Sequence, residues 1–273
     1  MKTLTLIALV MSAGSRLVAE DANVDRATVR LSDPSKPAWL RAHTINGGIS
    51  VKGYEGKDVV IEARVRGKDD GGGSDRYPGM KRLPMKSTGL TVEERDNVVE
   101  VKTESWRVPA DLVIQVPFNT SLRLGCVNDG SIVVEKATGE IEAQNVNGPI
   151  TLTNISGSAV ANTTNGSVIV TFARIDPAKA MSFVTLNGNV DVTLPRGSKA
   201  NLSMKIDRNG DIYSDFEIAT RPAPLAEGTG ARSAKDGRYV LKIDRSVYGS
   251  INGGGQEITL KTFNGDIVLH EPK

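Results

Sequence analysis

The sequence is poor in the residues that many catalytic centres and disulfide-stapled folds need. Its 273 residues include one cysteine, Cys126, and two histidines, His43 and His270. One cysteine excludes an intramolecular disulfide. Without a Ser–His pairing or a cysteine and histidine spacing typical of zinc sites, nucleophilic and zinc chemistry are not supported. Cys126 lies between Leu124 and Val127 in an apolar stretch, which predicts a buried, inert thiol.

Aromatic residues and long apolar runs are also scarce. Aromatics make up 4% of the chain, whereas 28 residues are glycine. This balance predicts a thin core filled by Val, Ile, Leu and Ala rather than a thick sandwich with large rings. No apolar run reaches the length of about 20 residues that a membrane-spanning helix needs, so the sequence predicts no membrane anchor.

The first nineteen residues predict a signal peptide rather than part of the fold. Lys2 supplies a positive start, a short apolar run follows from Leu4 to Met11, and small residues continue to Ala19. This order is typical of secretion signals, although a short buried strand or helix is the alternative. We therefore expect a mature chain of residues 20–273 in the periplasm or the medium.

Removal of residues 1–19 also changes the charge. That segment holds Lys2 and Arg16 and no acidic residue, so 34 − 2 leaves 32 basic residues against 32 acidic ones. The mature chain therefore has a formal charge of zero. The isoelectric point of about 8.6 for the whole chain does not indicate a nucleic-acid partner.

The middle of the chain carries a nine-residue repeat built on glycine turns. Glycines fall at 130, 139, 148, 157 and 166, each after a turn-forming residue and each followed at +2 and +4 by apolar side chains. The +2 and +4 residues are Ile132, Ile141, Ile150, Ala159, Val168, Val134, Ala143, Leu152, Ala161 and Val170. Because alternate residues of a strand share a face, each unit predicts a turn and a short strand with one apolar face.

The units alternate, so the true period spans two units and contains two strands per turn. Asp-Gly or Asn-Gly occurs at 130, 148 and 166, and Thr-Gly or Ser-Gly at 139 and 157. Asn187-Gly188 and Asn209-Gly210 follow at wider steps, which predicts a widened corner. Further copies at Asn46-Gly47 and Asn264-Gly265 bracket the chain. The predicted structural turns are Asn46, Gly47, Asp129, Gly130, Asn147, Gly148, Asn165, Gly166, Asn187, Gly188, Asn209, Gly210, Asn264 and Gly265.

Stacking of such units predicts an all-β, single-domain β-solenoid over residues 20–273 with about 18–22 residues per turn. An antiparallel β meander or sandwich stays open, because Asn-Gly is also a strong hairpin signal. Two stretches rich in Gly and Pro, residues 68–89 and 220–237, interrupt the pattern. We expect both to be loops that carry specific contacts.

A set of turn motifs recurs over residues 45–273. The motifs are Val116-Pro117 with Asn119-Thr120, Val146-Asn147-Gly148, Thr163–Ser167, Leu186-Asn187-Gly188, Arg208–Ile212 with Ser214–Phe216, Ile251–Gly255 and Ile258–Ile267. In these motifs the chain resembles the DUF4097 group of exported bacterial adhesin-like proteins. The resemblance implies an exported β-solenoid with an adhesive or cell-envelope role, and it supplies no catalytic residue.

Three kinds of ligand chemistry are weighed against this interpretation. A glycosidase needs two carboxylates placed across a sugar bond. Glu140 and Glu142 alternate with the inward Ile141 and therefore face solvent, and Glu135 lies nearby. The turn aspartates, Asp129, Asp211 and Asp266, are isolated, whereas calcium needs six or more oxygen ligands. Four aromatic residues could stack on sugars: Trp39, Trp106, Tyr77 and Tyr213.

The sequence therefore predicts a non-enzymatic, exported, adhesin-like protein that needs no cofactor or metal. Its partner, an envelope protein or glycan, is unknown, and we expect it to bind through the two loops. The alternatives are a polysaccharide-active enzyme on a β-helix and a self-assembling structural protein, since the ends of a solenoid expose strand edges.

Overall fold

The computed structural model describes residues 24–66, 87–104, 106, 108–222 and 246–272. The predicted signal peptide lies outside these residues, as does most of both predicted loops, of which only residues 87–89 and 220–222 are described. Within the described residues all regular structure is β-strand and none is helix, which confirms the predicted all-β class.

The fold consists of twenty strands joined by short turns. Their bounds are β1 (Val24–Arg30), β2 (Ala38–Asn46), β3 (Ile49–Tyr54), β4 (Asp58–Val65), β5 (Thr91–Arg95), β6 (Val98–Lys102), β7 (Ala110–Pro117), β8 (Thr120–Asn128), β9 (Ile132–Glu135), β10 (Glu140–Asn147), β11 (Ile150–Asn165), β12 (Val168–Ile175), β13 (Met181–Asn187), β14 (Val190–Thr193), β15 (Ala200–Asn209), β16 (Ile212–Ser214), β17 (Ala219–Arg221), β18 (Ser246–Ile251), β19 (Gln256–Asn264) and β20 (Ile267–His270).

The strands pair in two long ladders, which we call sheet 1 and sheet 2. Sheet 1 has the order β1-β4-β7-β3-β9-β11-β12-β14-β20-β16. Sheet 2 has the order β5-β6-β2-β8-β10-β11-β13-β19-β15-β18-β17. The long strand β11 contributes its first half to sheet 1 and its second half to sheet 2, so the chain passes from one sheet to the other at each corner.

The central strands are parallel and in the register that the repeat predicts. Asn147 pairs with Asn165 and Asn165 pairs with Asn187, at sequence steps of 18 and 22. The strand before each central Asn-Gly corner belongs to sheet 2 and the strand after it to sheet 1. These corners therefore do not close hairpins, because the strands that flank them pair with other partners.

The order of the rungs differs from the order expected from the sequence. Asn187 and Asn209 are not neighbours, because β19 lies between β13 and β15 and places Asn264 between them. At the other end β2 lies between β6 and β8. The two outlying copies, which bracket the chain in sequence, therefore both lie on strands that have a partner on each side. The expectation from chain order was wrong because in-register backbone pairing, not proximity in sequence, decides which strands stack.

A thin aliphatic core lies along both sheets. The +2 and +4 residues of the repeat are all buried, with exposed fractions of 3% or less. Phe172 and Phe183 make an edge-to-face pair with ring centroids 6.2 Å apart. Burying one Val, Ile or Leu side chain of this core stabilises the fold by about 1.5–3 kcal/mol. Cys126 is buried here as predicted, and burial raises the pKa of its thiol to about 12.

Antiparallel strands flank the parallel ones at one end of both sheets and at the other end of sheet 2, whereas sheet 1 ends there in the parallel strand β16. At one end β4 and β1 add to sheet 1 and β5 adds to sheet 2. At the other end β18 and β17 add antiparallel strands to sheet 2. The outermost described strands are either short, such as the three residues of β17, or carry several charges, such as β5. Such edges resist pairing with another chain.

Candidate binding face on sheet 2

The predicted turn glycines form one column along the stack. A Cβ atom added to Gly166 would lie 2.4 Å from the carbonyl oxygen of Gly148, and one added to Gly148 would lie 2.0 Å from that of Gly130. The column continues through Gly188, Gly265 and Gly210, where an added Cβ atom would lie 1.9–2.3 Å from the carbonyl oxygen of the neighbouring glycine. Most of these glycines also have φ between +132° and +155°, a region that side chains disfavour. Only glycine fits this column.

Beside the glycines, asparagine side chains form a hydrogen-bonded ladder. Each Nδ2 donates to the Oδ1 of the asparagine in the next rung. The bonds run from Asn147 to Asn128 (3.3 Å), Asn165 to Asn147 (2.8 Å), Asn187 to Asn165 (2.9 Å), Asn264 to Asn187 (3.0 Å) and Asn209 to Asn264 (3.1 Å). Asn46 lies in register with Asn128. These asparagines are therefore structural.

One predicted turn residue is displaced from this ladder. Asn128, not Asp129, occupies the asparagine position, because Asn128 pairs with Asn46 and accepts from Asn147. Asp129 is an extra residue with φ of 52°, and its carbonyl accepts a hydrogen bond from Arg66. Counting glycines conceals this insertion, because Gly130 and Gly148 are 18 residues apart, whereas the step from Asn128 to Asn147 is 19.

A second ladder seals the inner side of the corner. The hydroxyls of Thr163, Thr185 and Thr262 donate to the carbonyls of the glycines one rung away, at 2.7–2.9 Å. Their exposed fractions are 7% or less. Buried polar groups are costly without partners, so these bonds hold the corner in one conformation.

The outer face of sheet 2 carries a partly exposed, mainly apolar line of side chains, which we call the corner row. It consists of the residue before the corner asparagine in six strands from β2 to β19: Ile45, Val127, Val146, Thr164, Leu186 and Phe263. Ile45, Val146 and Leu186 are 38%, 41% and 44% exposed, and the others are half-buried. Since parallel strands lie about 4.8 Å apart, the row extends over about 24 Å.

A charged row runs parallel to the corner row, four residues earlier in each strand. Its members, in strand order β6, β2, β8 and β10, are Glu100, Arg41, Arg123 and Glu142. Arg41 NH1 lies 3.3 Å from Glu100 Oε1, and the Nε of Arg123 donates to Glu142 Oε2 at 2.7 Å. Hydrogen bonds from Lys102 and Arg41 lower the pKa of the Glu100 carboxyl.

Three shallow depressions connect these rows. The first, of about 550 Å³, is lined by Arg41, His43, Arg123 and Gly125. The second, of about 660 Å³, lies towards Trp39 and shares Arg123. The third, of about 450 Å³, includes Val127, Val146 and Thr164 of the corner row. Charged, polar and apolar contacts are thus available on one continuous face.

The carboxylates considered for catalysis do not form one cluster. Glu140 and Glu142 lie on the outer face of sheet 2, where they make ion pairs with Lys179 and Arg123. Glu135 lies on sheet 1, in register with Lys52 and Thr153, so the expectation that it is near them was wrong. No group of three potential metal ligands occurs among the described residues.

The candidate sugar-stacking residues are also dispersed. Trp39 is half-buried on sheet 2, whereas Tyr213, 54% exposed, lies on the edge strand β16 of sheet 1. Trp106 is 60% exposed in the turn region before β7. Tyr77 lies outside the described residues. Of the three that the structure describes, Trp39 is the one that adjoins the depressions of sheet 2.

Sequence reasoning missed the corner row although its signal was present. Val146-Asn147, Leu186-Asn187 and Phe263-Asn264 were noticed as parts of turn motifs. The alternation within each strand already directs the residue before the asparagine to the outer face. An apolar residue at the same outward position in several units is the signal that finds this row.

Comparison with known proteins leaves the family open. No family model and no curated protein matches the chain, so the resemblance to the DUF4097 group stays a prediction. Two solved structures are similar. A putative cell adhesion protein from Clostridium sporogenes has 10% identity and a TM-score of 0.42 over 91% of this chain and 99% of its own. A putative adhesin from Bacteroides fragilis has 11% identity and a TM-score of 0.44 over 90% and 97%.

Among the described residues, no helix has the length and apolar character needed to span a membrane.

Proposed function

We propose that this chain is an exported, non-enzymatic, adhesin-like β-solenoid that binds a protein of the cell envelope or of an opposing surface. The corner row and the charged row on sheet 2 form its binding face. This assigns the face of a sheet, and not the two predicted loops, as the place of contact.

The observation that carries the proposal is the alignment of exposed apolar residues. Three of the large apolar side chains that are more than a third exposed, Ile45, Val146 and Leu186, fall in one row of sheet 2. Scattered exposed apolar residues are ordinary, but a row in which five of six side chains are apolar, beside a charged row, is typical of a protein-binding surface. The asparagine and threonine ladders hold this line rigid, which lowers the entropy cost of binding.

The solenoid part of the proposal is supported by the parallel register. Strands one repeat apart, at sequence steps of 18 or 22, pair in register in both sheets. The glycine column continues through seven rungs from Gly47 to Gly210. A stack of this kind presents the same residue position once per rung, so a single outward position becomes a continuous line.

The non-enzymatic part is supported by the surroundings of the carboxylates. Glu140 and Glu142 are each held in an exposed ion pair. A glycosidase instead needs one carboxyl that can act as an acid and a second across the bond. Incubation with a panel of neutral and acidic polysaccharides should yield no new reducing ends. Product formation that disappears in Glu140→Gln or Glu142→Gln would contradict this part.

Adhesion of coated beads tests the binding face. Beads carrying residues 20–273 are applied to immobilised mucin, collagen, fibronectin and bacterial envelope preparations. We expect attachment to at least one, reduced at least tenfold by Val146→Ser combined with Leu186→Ser. Ile169→Ser is the matched control, because Ile169 is 41% exposed on sheet 1, like Val146 on sheet 2. Equal attachment by all variants would contradict the proposal.

A further inference from the structure

Two arginines stand next to each other on the outer face of sheet 2. Arg41 on β2 and Arg123 on β8 are direct partners in the parallel register. Like charges at directly opposed positions destabilise a sheet. In the charged row the two arginines are nevertheless adjacent, and Glu100 and Glu142 lie on either side of them. A ligand that bridges the two cations would offset their repulsion.

The carboxylates of the row leave several arginine donors available. Arg41 contacts Glu100 through NH1 alone, and Arg123 contacts Glu142 through Nε and NH2. Glu100 also accepts from Lys102, and Glu142 accepts from Gln144. Within the described part of the chain, Nε and NH2 of Arg41 and NH1 of Arg123 have no protein acceptor. The two side chains are 49% and 59% exposed.

The space beside the arginines suits a small anionic group. The depression of about 550 Å³ is lined by three cationic side chains, those of Arg41, Lys102 and Arg123, against the two carboxylates. The imidazole of His43 packs across Gly125, because a Cβ atom added there would lie 2.7 Å from Cδ2 of His43. His43 and Gln144, the partners of Gly125 on the two neighbouring strands, also line the depression.

An indole adjoins the arginine pair. Trp39 lies two residues before Arg41 on the same face of β2, about 6.7 Å away along the strand. Trp39 and Arg123 line the neighbouring depression together with Glu142, the ion pair of Glu140 and Lys179, and small residues such as Ser158 and Ala180. A sugar can pack on an indole face, while guanidinium groups bind a carboxylate through paired hydrogen bonds.

We propose that Arg41, Arg123 and Trp39 form a binding site for carboxylate-bearing sugars of an acidic polysaccharide. The two guanidinium groups bind the carboxylate, and the sugar ring packs on Trp39. The site lies on the proposed binding face but does not depend on the corner row, since none of its residues belongs to that row.

Calorimetric titration with trigalacturonic acid tests this site in residues 20–273. We expect saturable binding that is at least tenfold weaker in Arg41→Gln combined with Arg123→Gln. Arg26→Gln combined with Arg64→Gln is the control: it removes the same charge from two arginines of sheet 1 that are 52% and 56% exposed, and it should bind as the unchanged chain does. Thermal melting verifies that each variant is folded. If the Gln pair does not fold, Arg41→Lys with Arg123→Lys keeps the charge but loses the paired hydrogen bonds, and it should weaken binding severalfold.

A neutral galactose trimer and a triglutamate peptide separate sugar recognition from charge alone. Both should bind at least tenfold more weakly than trigalacturonic acid. The Trp39→Phe variant should bind trigalacturonic acid more weakly but triglutamate as the unchanged chain does. Absence of trigalacturonate binding, equal affinity for triglutamate, or equal losses in the two arginine pairs would each overturn the proposal. The corner-row variant, Val146→Ser with Leu186→Ser, should bind trigalacturonate normally, so failure of this site and failure of the proposed function are distinguishable.

Discussion

The side-chain amide of Asn264 donates a hydrogen bond to Oδ1 of Asn187 at 3.0 Å, across 77 residues of sequence. This bond joins the last copy of the repeat to a rung in the middle of the chain. It shows that the C-terminal strand β19 lies inside the stack and not at its end. The same strand contacts Asn209 on its other side, so one insertion connects three distant segments.

The inserted rung predicts which engineered disulfide can form. Adjacent strands are about 4.8 Å apart and alternate ones about 9.6 Å, whereas a disulfide requires Cα atoms about 4.4–6.8 Å apart. Asn187→Cys with Asn264→Cys should therefore cross-link on mild oxidation, as judged by thiol titration and peptide mapping. Asn187→Cys with Asn209→Cys should stay reduced. A cross-link in the second pair alone would mean that the rungs follow chain order.

The glycine column predicts a graded response to alanine. Gly166→Ala places a Cβ atom 2.4 Å from a backbone oxygen at φ of +149°, so we expect a loss of about 3 kcal/mol or more of unfolding free energy. At Gly253 an alanine would have open space around its Cβ atom but an unfavourable φ of +87°. Gly253→Ala should therefore lower the free energy of unfolding by about 1 kcal/mol.

Gly197→Ala is the control for these two changes, because open space surrounds Gly197. Its effect should stay within about 0.5 kcal/mol. Urea unfolding of the three variants measures the series. Equal losses at positions 166 and 197 would show that the glycine column is not closely packed.

Burial of Cys126 predicts an unreactive thiol and a pH dependence. Its pKa is raised from 9.0 to about 12, so the native thiol is protonated at pH 8 and should not react with a thiol reagent. Labelling should occur only after denaturation. Because the folded state keeps the proton longer, the free energy of unfolding should fall as pH rises from about 9 towards 12. Stoichiometric labelling of the native chain at pH 8 would contradict the burial.

The short or charged edge strands of the two sheets predict a monomer. The outermost strands among the described residues are short or charged, and such edges do not pair readily. Sedimentation velocity over a hundredfold range of concentration should give one constant coefficient. Growth of the coefficient with concentration would instead favour the self-assembling alternative.

The repeat could be predicted because its signals are local. Gly148 and Gly166 mark the corners, and Ile150 and Leu152 reveal the buried face by alternation alone. The position of β19 could not be predicted in this way. The Asn264 copy has the same turn signal as the Asn209 copy, and only backbone pairing over long distances decides which one stacks on Asn187.

The candidate site was less accessible from the sequence than the fold. Arg41 and Arg123 are far apart in the sequence and become neighbours only through the inserted strand β2. Glu135 and Glu140 are close in the sequence, yet the corner at Gly139 directs them to different sheets. Proximity in sequence is therefore a poor guide to proximity on the surface of this fold.

Protection of two matched cysteines tests the central claim, that sheet 2 carries the binding face. Thr164 and Thr151 are both half-buried and lie on the same strand, β11, but Thr164 belongs to the corner row and Thr151 to sheet 1. Each is replaced by Cys, and maleimide labelling is timed with and without the protein that captures the coated beads. The account predicts that labelling slows at least tenfold at position 164 and is unchanged at 151. Protection at 151 alone would contradict it.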